Sequence, residues 1–157
     1  MRLAFRAKPA TIMGLSELMQ DEAKKAAVVA ECCTLVDEEV AAKSGLSGLA
    51  VKAGYAAVKG VKPGFIREVV DKLLPDFSKQ LDPLWEEGRA TGSPTKFMVD
   101  NKSRVAEELL KVTDGKIKSA KSSLVRGTYD KLRGSAKKNV EEAVPRLSRL
   151  LERHTSG

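Results

Sequence analysis

The chain has 157 residues, 42% hydrophobic and 31% charged, and carries a net charge of +7. That length fits one domain able to bury roughly 70% of the surface its unfolded form exposes, and the composition excludes an intrinsically disordered chain. No apolar run approaches the ~18–20 residues needed to span a bilayer, which excludes an integral helical membrane protein.

The opening stretch MRLAFRAKPATI contains Arg2, Arg6 and Lys8 without an acid. Its apolar part is too short for a secretory signal, and a basic presequence is the alternative to a loose tail. The folded unit is expected to open at Met13 with GLSELM. The expected organisation is a flexible basic extension over 1–12, a single helical domain over 13–154 and a short tail over 155–157.

From Asp21 to Lys43, Ala26, Val29, Cys33, Val36 and Val40 recur at threes and fours, and Ser44-Gly45 supplies a stop, so a long first helix is expected with these residues inward. Cys32 and Cys33 are adjacent on it, about 100° apart, which does not suit one metal ion. Buried reduced thiols are the expected state, and they point to a reducing cytoplasm.

The next segment, GLSGLAVKAGYAAVKGVKPGF, reads as an amphipathic helix from Ser47 to about Val61. At 100° per residue, Lys52, Tyr55, Lys59 and Lys62 fall within an arc of about 80°. Leu46, Ala50, Ala53, Ala57 and Val61 gather opposite, so the alanine side is expected to face the bundle and the lysines the solvent. The segment lacks the spacing of a P-loop or a dinucleotide turn. A helix N-terminus at Pro63-Gly64, with Lys59, Lys62 and Arg67 nearby, could hold an anion, against the plainer reading of a solvated junction.

A third helix should carry Phe65, Ile66, Val69, Val70, Leu73 and Leu74 inward until Pro75 kinks or ends it. Asp76 to Glu87 follows with Phe77, Leu81, Leu84 and Trp85, then Ser93-Pro94 as cap and first-turn proline. Further helices are expected around Val105–Val112 and from Lys116 onward, with a break at Gly134-Ser135. VVDKLLPDFSKQL (69–81) and NVEEAVPRLSRLL (139–151) echo each other in their apolar residues and proline. No strand alternation occurs, so the expected class is all-α, a compact bundle of six to eight short helices broken by Pro63, Pro75, Pro83 and Pro145.

The stretch KSGLSGLAVKAGYAAVKGVKPGFIREVVDKLLPDF, with RVAEELLKVTD and YDKLRGSAKKNVEEAVPRL, resembles a family of short, uncharacterised bacterial all-helical proteins that begin near GLSEL. The resemblance runs from about Met13 to His154 and implies a bacterial helical protein. It carries over no catalytic residue.

Charge is segregated along the chain. Residues 14–39 hold seven acids against two lysines, 40–67 hold five bases and no acid, and 115–138 hold eight bases and one acid. Either an acidic helix packs beside basic ones, or a basic surface stays open to an anionic partner. The candidate anion-binding residues are Lys52, Lys59, Lys62, Arg67, Lys116, Lys118, Lys121, Arg126, Lys131, Arg133, Lys137 and Lys138. Seven aromatics and no reader motif argue against sequence-specific nucleic-acid recognition, leaving a nucleic-acid backbone or an anionic lipid surface. The lipid surface requires the alanine side of the 46–61 helix to be free. A protein partner stays open.

The lone histidine, His154, lies in an expected frayed end, and the carboxylates sit among neighbouring bases, so no acid–base pair, cofactor or metal site is expected. The expected function is a cytoplasmic, non-catalytic binding or scaffold module, peripheral to a membrane if the lipid reading holds. The alternative is a small-molecule or lipid carrier with an apolar pocket around Tyr55, Phe65, Phe77 and Trp85.

Overall fold

The computed structural model describes residues 14–156, so the expectations for residues 1–12 lie outside the described residues. It contains α1 (Leu15–Leu18), α2 (Glu22–Ala42), α3 (Gly45–Lys59), α4 (Phe65–Ala90), α5 (Pro94–Asp100), α6 (Lys102–Ile117) and α7 (Ser123–Thr155), with no strand among the described residues. The all-α class and the number of helices are as the sequence leads one to expect. Their lengths are not.

α4 runs for 26 residues through Pro75 and Pro83, and α7 for 33 residues through Gly134, Ser135 and Pro145. An internal proline removes one hydrogen bond to the carbonyl four residues back. For Pro75 and Pro83 those carbonyls belong to Asp71 and Lys79, both solvent-exposed positions, where water can replace the lost donor. The packing of both helices then outweighs local propensity. Only Pro63 lies between helices as expected, in the turn from α3 to α4.

α2 and α6 each pack against both α4 and α7, forming a four-helix layer with the two long helices diagonally opposed. α1 and α5 close it by docking on α4 and α7. The core runs through Leu18, Val28, Leu81, Trp85, Met98, Val105 and Val144, with Phe77 and Leu147 against it. The sequence echo has a structural counterpart. Leu74, Ser78 and Leu81 of α4 are buried, as are Val144, Ser148 and Leu151 of α7 at the equivalent places.

Two short helices receive their N-terminal caps from elsewhere in the chain. Asp82 of α4 accepts the N–H of Leu15 at 2.9 Å and of Ser16 at 3.3 Å, and the Ser16 hydroxyl donates to the same carboxylate. Glu152 of α7 accepts the N–H of Thr95 at 3.2 Å and its hydroxyl at 2.6 Å. A carboxylate at a helix N-terminus satisfies free donors and opposes the helix dipole.

Candidate functional site

No residue of α3 belongs to the core, and none of α7 before Val140 does. α3 is a satellite laid on α7, α2 and the start of α4. Gly45, at φ 74°, takes the left-handed turn that separates α3 from α2, a conformation that favours glycine. Lys43 pairs with Glu142 at 2.5 Å, and Gly54 lies against Thr128 and Leu132, so α3 and α7 run antiparallel. A Cβ on Gly54 would stand 2.9 Å from a Leu132 methyl. That glycine lets the two helices approach.

The orientation of α3 corrects the sequence expectation. Its inward side is formed by Gly48, Val51, Gly54, Tyr55 and Val58, about a third of a turn from the Leu/Ala side. Leu46 is 87% and Leu49 63% exposed, and Ala50, Ala53 and Ala56 are exposed with them. The reason is contact quality. Alanines bring little area to a joint, whereas two valines, a close-approach glycine and a tyrosine fit α7 and α2. The Tyr55 hydroxyl donates to Asp37, and burial, followed by that carboxylate, pushes its ionisation up. α2 keeps Val29 buried as expected but is turned from the expected side, with Val28, Cys32 and Leu35 buried too and Ala26 exposed, while Cys33 and Val36 lie at the core margin.

The twelve candidate cations divide into engaged and open groups. Lys62 pairs with Glu68 at 2.8 Å, Lys116 with Asp76 at 2.9 Å, Arg133 with Asp114 at 2.8 Å and Lys137 with Glu107 at 3.3 Å. Arg126 donates to the carbonyl of Ala120, and Lys59 sits 5.3 Å from the centre of the Tyr55 ring. Lys52, Arg67, Lys118, Lys121, Lys131 and Lys138 are exposed and, among the described residues, reach no acid within ion-pair distance. At the start of α4, Gly64 is the N-cap, but Glu68 of the first turn takes both Lys62 and Lys72. Lys62 first and then Lys72 hold that carboxylate below its usual range, so the positive helix end already has an anion of its own.

The first charge alternative, an acidic helix packed beside basic residues, is realised in part. The acidic α2 pairs with the far end of α7, Glu31 with Arg153 and His154, and Glu38 and Glu39 with Arg146, leaving the basic 115–138 stretch to other partners. Arg153 is the main cause of the lowered Glu31 ionisation. The α7 helix extends to Thr155, which is buried and donates to the carbonyl of Leu151, so His154 is held and not frayed.

The four residues of the pocket reading are not brought together. Trp85 is 1% exposed in the core, Phe77 packs on the core margin and Phe65 is half-buried at the start of α4. Tyr55 alone lines an apolar cleft, between α3 and α7. Sequence reasoning missed Val51, Val58, Val125 and Leu132, which form its walls. The valine spacing of Val51 and Val58 was a usable signal.

Among the described residues no helix is long and apolar enough to cross a membrane, and no group of three or more His, Cys, Asp or Glu has a metal-holding arrangement. Fold and surface together define an all-helical bundle with an outlying helix whose valine side packs inward and whose leucine and alanine side is exposed. Residues 15–155 match the pattern described as "Family of unknown function (DUF6918)", and the chain belongs to that family. No curated protein and no solved structure matches it.

Proposed function

We propose that this protein is a non-catalytic docking module that attaches reversibly to an anionic membrane surface through the outer side of α3. One observation carries the reading: Leu46 and Leu49 stand exposed on a helix with no acidic residue. Lys52 and Lys59 flank that side on α3, and Lys131 and Lys138 are exposed along the neighbouring α7. Each leucine contributes about 1.5–3 kcal/mol when fully buried, and each well-placed lysine about 1 kcal/mol near anionic lipid. Such terms support peripheral, salt-sensitive attachment, which fits a cytoplasmic protein at the membrane face.

The test is retention on phosphatidylglycerol vesicles and on phosphatidylcholine vesicles at low and high salt. The reading requires retention on the anionic vesicles alone, weakened by salt and abolished by Leu46→Glu with Leu49→Glu. Retention on nucleic acid that ignores the leucines would move the function to a phosphate backbone, and no retention on vesicles at low salt would remove the docking reading. A second reading, a carrier of an apolar ligand, is supported by the cleft on the other side of α3.

A further inference from the structure

We infer that the cleft between α3 and the N-terminal half of α7 takes the alkyl tail of one fatty acid, with Lys59 meeting the carboxylate. This rests on the docking reading only for the source of the ligand, a membrane being where fatty acids partition. The cleft measures about 290 Å³, near the lower bound for small-ligand sites. Val51 and Val58 of α3 face Val125 and Leu132 of α7 across it, two turns or about 10 Å along the helix.

The lining selects an apolar guest. Thr128 turns its methyl towards Gly54. The two tyrosine hydroxyls at the cleft are already engaged, Tyr55 with Asp37 and Tyr129 with Thr113 and Asp114. Water would find few partners there, whereas methylene groups would find a furrow of valine and leucine. The cleft lies between two antiparallel helices, which suits a linear chain. Lys59 supplies the charge complement, since its ammonium lies over the ring of Tyr55, a wall residue, and pairs with no acid among the described residues.

The experiment titrates the full chain with dodecanoate below its micelle concentration, read by calorimetry and by amide chemical shifts. Saturable one-to-one binding is expected, with shifts centred on Val51, Val58, Val125 and Leu132. Lys59→Gln should weaken dodecanoate by about fivefold or more and leave dodecanol unchanged, because only the acid carries charge. Val58→Phe, which fills the cleft, should abolish both while circular dichroism reports native helix content. Should that variant fail to fold, the Lys59→Gln comparison decides.

The two readings fail separately. Leu46→Glu with Leu49→Glu should abolish vesicle retention and leave dodecanoate binding intact. Folded protein that shows no saturable binding, or shifts confined to Leu46, Leu49 and Ala53, overturns the cleft assignment whatever the vesicles show.

Discussion

Asp82, in the middle of α4, accepts the backbone N–H of Leu15 at 2.9 Å and so holds the first helix of the fold by its N-terminus. The contact spans 67 residues of sequence and seats Leu15 and Leu18 in the core. Asp82→Ala leaves those donors without their carboxylate and should cost about 1–2 kcal/mol, the range for losing a good N-cap. Urea unfolding measures it. A change within error would mean that α1 stays seated through its leucines alone.

Gly54 sets the distance between α3 and α7. Gly54→Ala should be close to neutral, because about 1 kcal/mol of helix propensity offsets a small shift of the Leu132 side chain. Gly54→Ile brings branched bulk against Thr128 and Leu132, which stand 3.0 and 2.9 Å from a Cβ, and should cost about 1–3 kcal/mol. Hydrogen exchange should show the loss as faster exchange in α3, with the core amides unchanged.

Acid should loosen the joint between α6 and α7. Arg133, and after it Tyr129, holds the Asp114 carboxyl below its usual range. A depressed carboxylate stabilises the fold above its unfolded-state pKa, and that contribution disappears as pH falls through the lower folded value. Stability should therefore decline on the acid side of the ordinary carboxylate range, and Asp114→Asn should flatten part of the decline. Thermal melts from neutral pH to pH 3 provide the comparison, and an identical acid profile in the variant would contradict the assignment.

The vicinal thiols should be sluggish. Burial pushes the Cys32 thiol up to about 12, and burial also raises Cys33, although less of that residue is covered. Nucleophilic thiolate is scarce in both at neutral pH. Mass spectrometry of native protein treated with iodoacetamide should show slow labelling, Cys33 first, with full labelling only after unfolding.

Trp85 is fully enclosed, and its indole N–H finds no acceptor among the described residues. Its fluorescence should be blue-shifted in the native state and move red on unfolding. Trp85→Phe should cost less than the lost area implies, about 1–2 kcal/mol, because the change also removes an unsatisfied buried donor.

What the sequence discloses about this fold depends on which signal is asked. Helix ends are legible where chemistry is local: α2 starts at Asp21, where its periodic stretch is expected to begin, and Ser93-Pro94 opens α5 as expected. Proline misleads because its cost is local, whereas its tolerance at Pro75 and Pro145 depends on the burial of Leu74 and Leu81 on α4 and of Val144 and Leu151 on α7. Residue class alone also misplaced the inward side of α3, since Leu46, Leu49 and the alanines look like core until their neighbours are known. The charge blocks are readable, but their destinations are not. Asp114 and Asp76 reach Arg133 and Lys116 across the fold, and no local spacing announces those pairs.

The 33 residues of α7 serve two masters: its C-terminal half is set in the core, and its N-terminal half carries α3. At about 1.5 Å per residue the helix is a rod of roughly 50 Å, set in the core at its C-terminal half and tied to α6 further back through Arg133 with Asp114 and Lys137 with Glu107. Whatever lifts or loads α3 therefore pulls first on the polar clasp between Asp114 and Arg133, well before the strain can reach Val140 and the packed interior.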